Sequence, residues 1–244
     1  LEKTFRKKSW VPGPIMLSGN TDCYQPVERK LKITRRLLEV CIRFHHPVSI
    51  ITKNQLVLRD LDILLELSKE DLVHVTISVT TLDEDLRKVM EPRTASAVNR
   101  LKVVRELSDA GIPVTVLMAP VIPALNSAEI PEVVKASFQA GAHNVGYSMV
   151  RLNGAIGVIF DDWIHRTFPD RASKVLQQIK DAHGGTLHDS RFGTRMRGEG
   201  NMADSIRQLH RMAVNKFGEG RKDFTFNLNA FHVPPEPDEQ LKLF

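Results

Sequence analysis

Apolar residues gather along this chain in short runs, and each run is followed by a stretch where they recur at helical spacing. Ile15, Met16 and Leu17 form the first run, and 48–51, 73–79, 113–118 and 144–150 form the next ones; all read as buried strands. Val27, Leu31, Leu38, Cys41 and Ile42 predict one helix face, and 58–67, 98–110 and 130–140 predict the helices that follow, the last two closed by Gly111 and Gly141. Strand starts near 15, 48, 73, 114 and 144 lie about 25 to 40 residues apart with a helix in each gap, which is the βα rhythm of a parallel sheet. So few units cannot close an eight-stranded barrel; they suit a partial barrel or a doubly wound sheet.

The pattern changes at both ends. Residues 1–8 have no N-cap before them and read as the last turns of a helix already under way. After Arg151 the chain turns helical, at 156–168 and 171–182, the second ended by Gly184-Gly185. A glycine-rich basic loop at 191–200 then leads into a helix striped by Met202, Ile206, Leu209, Ala213 and Phe217. Alternation over 224–228 predicts a last strand, and a proline-rich tail at 234–237 is expected to be mobile. The division expected is a barrel over 10–152 and a C-terminal extension over 153–244.

At 244 residues the chain is long enough to bury a sizeable core, and its 42% apolar and 26% charged residues are those of a globular protein. No apolar run approaches the roughly 18 residues of a membrane helix, no leader-like segment opens the sequence, and two cysteines argue against a disulfide framework. A cytoplasmic protein without membrane partners is the expectation. The net charge of +5 allows an anionic partner such as nucleic acid, and a solvated basic surface accounts for it as well.

The nine histidines include no pair at the spacing that sets two imidazoles on one metal. Cys41 lies on the apolar face of its helix, and Cys23, beside the first strand end, has no recognisable base. Neither G-x-G-x-x-G nor a P-loop opens a helix. The 191–200 loop has the ingredients of an anion site, since glycines expose backbone N–H groups beside Arg191, Arg195 and Arg197. What remains is a set of groups at strand ends: Asn20, Thr21 and Asp22; Thr52 and Asn54; Ser78 and Thr80; Ala119 and Pro120; Ser148 and Arg151. In a parallel barrel these converge on one rim, enough to hold a zwitterionic small molecule by hydrogen bonds and one arginine–carboxylate pair. Two other readings stand beside this one: a metal-free barrel lyase or aldolase with Lys53 as Schiff-base lysine, and a non-enzymatic nucleic-acid-binding module using the arginine loop.

SGNTDCYQPVER after the first strand, SVTT at the third strand end, the segment from 91 to 127, YSMVRL at 147–152 and RFGTRMRGEG at 191–200 together resemble radical S-adenosylmethionine (SAM) proteins of the spore-photoproduct-lyase-like group. The resemblance covers about residues 10–200. It implies a partial (β/α)6 TIM-like barrel with a mainly helical extension, binding SAM beside a 4Fe-4S cluster. It also implies one-electron reduction of SAM to a 5′-deoxyadenosyl radical that abstracts hydrogen from a substrate, with an electron donor such as flavodoxin or ferredoxin. The group's name points to a photolesion in DNA, and the basic charge is compatible with a phosphate-bearing substrate. By position, Asn20, Thr21 and Asp22 take the SAM amino group, Ser78 and Thr80 its ribose or carboxylate, Pro120 and its neighbours the adenine side, and Arg151 and Arg93 a carboxylate, with Ser148 a further cofactor-binding residue of the rim. The resemblance names no catalytic residue. The family holds its cluster with a C-x3-C-x2-C loop after the first barrel strand, and this sequence contains no such motif. Its first strand matches the family's second, so the expectation is a barrel lacking its first βα unit and its metal ligands, without radical chemistry as written.

Overall fold

The computed structural model describes residues 1–187, 191, 194–221 and 223–235. Strands β1 (Ile15–Leu17), β2 (Val48–Thr52), β3 (Val73–Ser78), β4 (Val114–Val121) and β5 (Asn144–Met149) form one parallel sheet, in the order β1-β2-β3-β4-β5. That order decides between the two architectures. A doubly wound sheet reverses direction at a switch point, whereas this one steps the same way at every crossover, so the crossover helices fall on one face. The fold is therefore a partial barrel, an α/β wall of parallel strands with helices outside.

Helices α1 (Glu2–Phe5), α2 (Glu28–Leu31), α3 (Ile33–Arg43), α4 (Leu61–Ser68), α5 (Glu84–Met90), α6 (Ala97–Asp109) and α7 (Ile130–Gln139) precede or separate the strands. Alternation along the strands sorts side chains between the two faces. Val48, Ile50, Val73, Val75, Ile77, Val114 and Val116 are all buried in the main core, where α4, α6 and α7 cover the sheet. The opposite face carries most of the strands' polar residues: Ser49 stands in register with His74, and Thr76 with Thr115, with Ile51 and Leu117 among them.

Local chemistry shifted several elements from their expected bounds. The helix expected to run on from Val27 is broken at Lys32, whose left-handed φ of 50° separates α2 from α3. Residues Gln55–Asp60 form a 3-10 turn before α4. Helix α5 was not anticipated; Asp83 caps it, accepting hydrogen bonds from the N–H groups of Asp85 and Leu86 at 2.8 and 3.1 Å.

Beyond the sheet lie α8 (Ala155–Thr167), α9 (Pro169–Ala182) and α10 (Gly200–Phe217). A second apolar cluster joins Ile164, Val175 and Ile179 to Ile122, Val150 and Leu152, which fastens α8 and α9 over the C-terminal ends of β4 and β5. Helix α10 packs on α7 and α9 and gives Ala203, Ile206 and Ala213 to the main core.

The segment expected as a last strand forms none. Phe224 and Phe226 instead lie against His74, one stacked and one edge-on, and close the N-terminal end of the barrel wall. From there the chain runs back along the N-terminal region, where Asn227 donates to the carbonyl of Asp71 and His232 to that of Phe44, both at 3.1 Å. Arg6 reaches the carbonyl of Pro234 at 2.8 Å. Fully buried Phe5 stacks on His46 with ring centroids 4.1 Å apart. The part of the proline-rich tail beyond Pro235 lies outside the described residues. Among the described residues no helix is long and apolar enough to cross a membrane.

Candidate functional site

A cavity of about 870 Å³ opens at the C-terminal ends of the strands, within the size range of small-molecule sites. Asn20, Lys53, Ser78 and Glu91 stand at its polar end, on the β1 to β3 side. Pro120, Ile122, Val150 and Leu152 form the β4 and β5 wall, and Ile156, Ile159, Phe160 and Trp163 of α8 form an apolar roof. The roof is tied across the opening, because Trp163 donates its indole N–H to the carbonyl of Val89 at the end of α5, 3.2 Å away.

Of the residues singled out in the sequence, Asn20, Ser78, Ala119, Pro120, Ser148 and Arg151 line this cavity. Asp22, Thr52, Asn54 and Thr80 do not, and their hydrogen bonds explain why. Asp22 accepts from the Thr52 hydroxyl at 2.8 Å, from the Lys53 N–H at 2.9 Å and from the Tyr24 N–H at 2.9 Å, so its carboxylate is spent holding the β1 loop to the end of β2. Asn54 donates to the Tyr24 carbonyl at 2.8 Å and caps the 3-10 turn through the Leu56 N–H. The buried Thr80 hydroxyl lies 3.1 Å from both a Glu91 oxygen and the Ala119 carbonyl. Thr21 and Arg93 are exposed and lie outside the lining.

Glu91 and Lys53 are the cavity's main charged pair, and sequence reasoning gave Glu91 no role. Glu91 pairs with the Lys53 ammonium and receives Arg100 Nη2 at 2.7 Å. Arg100 is buried and fully engaged: it also donates to the carbonyls of Ala95 and Ser78 and to the Thr94 hydroxyl. Burial alone would raise the Glu91 carboxyl, but the charges of Lys53 and Arg100 outweigh it and hold the group below its ordinary range. The cluster carries two cations to one anion, a net positive charge beside the cavity. Lys53, named above for Schiff-base chemistry, is engaged as an ammonium ion by this carboxylate.

Buried Asn126 frames the β4 side. It donates to the carbonyls of Thr80 and Pro120 at 2.9 and 3.0 Å and accepts the Ile122 N–H at 2.6 Å.

The cysteines are chemically quiet. Burial, with a smaller contribution from Asp22, pushes the Cys23 thiol up to about 11, and burial pushes Cys41 up to about 12. Among the described residues no group of three or more His, Cys, Asp or Glu side chains could hold a metal ion.

The basic loop lies along the edge of β5. The Met149 N–H donates to the Met196 carbonyl at 2.9 Å, which sets the loop beside cavity-lining Ser148 and Met149. Arg191 pairs with Glu199 at 2.6 Å, and Arg197 is exposed. Gly198 has a φ of +69°, and a Cβ there would stand 2.9 Å from the Ala182 carbonyl. Residues 192 and 193 of the loop lie outside the described residues.

Comparison with known proteins gives a consistent picture. The family model described as "Radical SAM superfamily" matches residues 3–136. An uncharacterized protein of Mycobacterium tuberculosis is 28% identical over 176 residues, covering 71% of this chain and 52% of that protein. One of Methanocaldococcus jannaschii is 32% identical over 123 residues, covering 50% of this chain and 46% of that protein. The chain thus spans about half the length of the curated relatives it matches. In fold it is similar to spore photoproduct lyase complexed with dinucleoside spore photoproduct, with a TM-score of 0.65 and 14% identity over 93% of this chain and 64% of that one. A doubly substituted mutant of that lyase with bound AdoMet and dinucleoside spore photoproduct gives a TM-score of 0.62 and 16% identity, with the same coverage.

Proposed function

The chain belongs to the radical SAM superfamily, and from that premise we propose that its strand-end cavity binds S-adenosylmethionine as part of a lyase-like radical SAM enzyme. The observation that carries this reading is the polarity of the cavity, with Asn20, Lys53, Ser78 and Glu91 at one end and α8 with Pro120 at the other. The amino-acid end of SAM matches the first and its adenine the second. Asn20 and Ser78 are placed to hydrogen-bond the ligand, Lys53 to face its carboxylate, and Phe160 and Trp163 to cover the adenine and exclude water. When bound in this superfamily, SAM supplies the 5′-deoxyadenosyl group.

A 4Fe-4S cluster does not fit the residues described. A cubane needs thiolates on its irons, and this sequence offers two cysteines, one in the core and both with thiols held protonated by burial. The family's reductive chemistry and its electron donor, a flavodoxin or ferredoxin, therefore belong to the full-length enzyme as an expectation.

For the substrate, a nucleic acid or another phosphate-bearing molecule is favoured. Arg151 at the cavity and exposed Arg197 on the β5-edge loop put positive charge on one side of the opening. A fold similar to that of a lyase solved with dinucleoside spore photoproduct adds to this reading, as does the net charge of +5. We place the enzyme in the cytoplasm.

Calorimetric titration of SAM into the protein tests the cofactor reading. Binding in the micromolar range, weakened about tenfold by Ser78→Ala combined with Asn20→Ala, supports it. No binding by the unsubstituted protein at its full natural length overturns it.

A further inference from the structure

Lys53 reaches the cavity from the position just after β2, a lysine on a flexible four-carbon stem with many rotamers of similar energy. What gives its ammonium a fixed address is Glu91, which lies 38 residues further along the chain on the far side of α5. Glu91 is itself held from two directions, by Arg100 Nη2 at 2.7 Å on one oxygen and by the Thr80 hydroxyl at 3.1 Å on the other. Arg100 cannot swing to release it, since its guanidinium is also locked on the Ser78 and Ala95 carbonyls. The Lys53 backbone is fixed independently by Asp22.

We propose that Glu91 is the positioning residue of the ligand's carboxylate subsite, holding the Lys53 ammonium where its remaining N–H donors face an anionic group in the cavity. This deepens the SAM reading and rests on it. The charge count supports it. With Arg100 buried and already paired to Glu91, the carboxylate neutralises one of its two cations, which leaves the Lys53 side of the cluster with the unbalanced charge. An anion is drawn to that side, and a neutral ligand is not. Arg151, exposed at the opposite end of the cavity, then serves the substrate rather than the amino-acid end of the cofactor.

The test is a double-mutant cycle read with two ligands, SAM and 5′-methylthioadenosine, the latter carrying the same adenosine without the amino-acid end. Calorimetry on the full-length protein is expected to show Lys53→Met and Glu91→Gln each weakening SAM about tenfold, and the double variant weakening it about tenfold as well, because the two residues act as one unit. Affinity for 5′-methylthioadenosine is expected to change less than about twofold in all three. Thr80→Val, which removes one of the supports of Glu91 and leaves the buried ion pair intact, gives a smaller selective loss of SAM that vanishes in the Lys53→Met background. That arm decides the matter if Glu91→Gln fails to fold. Losses that multiply to about a hundredfold, or equal losses for both ligands, overturn the positioning role while the cofactor reading stands. Absence of SAM binding by the unsubstituted protein overturns both.

Discussion

Trp163 donates its indole N–H to the carbonyl of Val89 at 3.2 Å, and this contact draws α8 and α5 together above the strand ends. The same indole stands within stacking range of Phe160 and Phe168, at centroid distances of 5.3 and 5.9 Å. Occupation of the cavity should therefore change Trp163 emission. Trp163→Ala is expected to abolish that change and to weaken adenosine-containing ligands about tenfold, measured by fluorescence and calorimetric titration. Unchanged affinity would remove α8 from the site.

Asn126 spends its whole side chain on backbone groups of Thr80, Pro120 and Ile122, two of them in loops and one at the end of β4. Asn126→Ala leaves two carbonyls and an N–H without partners in a buried place. Urea unfolding at neutral pH should show a loss of about 3 kcal/mol. A loss below about 0.5 kcal/mol would mean that water replaces the amide at little cost.

Acid should weaken the fold through its buried and half-buried imidazoles. Burial, helped by the nearby His143, lowers His74 to about 4, and burial also lowers His46 and His210. For a base depressed in the fold, the unfolded chain binds more protons below its own value of 6.5, so stability falls as pH drops from there towards 4 and levels off below. The His74 share is about 3 kcal/mol. His74→Phe, which keeps a ring against Phe224 and Phe226, is expected to flatten the dependence of unfolding free energy between pH 6.5 and 4. A slope of unchanged size would assign the effect to other groups.

Gly198 turns the basic loop back on Ala182 in a conformation that side chains disfavour. Gly198→Ala brings both backbone strain and a close approach to a carbonyl. A fall of about 2 kcal/mol in thermal or urea stability is the expected result. Wild-type stability would show that the turn relaxes freely.

If a phosphodiester substrate crosses the cavity opening, its affinity should fall steeply with salt. Arg151→Gln and Arg197→Gln should each reduce the slope of log affinity against log salt by about one. Binding that ignores salt would argue against a polyanionic substrate.

The strands β2 to β4 were legible because their helix-side residues are mostly valines and isoleucines packed under helices, which leaves a dense apolar signal, while β5 contributes Val145, Tyr147 and Met149. The sequence left the winding open, since the choice between a barrel wall and a doubly wound sheet depends on which strands pair. Helix α5 escaped notice because Leu86 is its buried residue and the rest of EDLRKVM is largely charged. Phe224 and Phe226 alternate as a strand does, yet they pair with an imidazole and not with a neighbouring backbone. At the candidate site, Asn20, Ser78 and Ser148 line the strand-end cavity, but Asp22 and Thr80 do not, because partners distant in sequence claim them first. Glu91 is the converse case. A glutamate in a loop carries no periodic signal, and its place is set by Lys53 and Arg100 arriving from other elements.

Because all five strands are parallel, every loop that follows a strand emerges at the same end of the wall, and the aromatic packing around Phe5, His46 and Phe231 lies at the other. Ligand preference and folding strength are thus inherited by separate sets of positions. A lineage can exchange exposed rim positions such as Arg151, Ile156 and Ile159 and acquire a new substrate without renegotiating the valine and isoleucine layer beneath. Drift in that layer, conversely, wears down the protein's endurance long before it alters what the protein recognises.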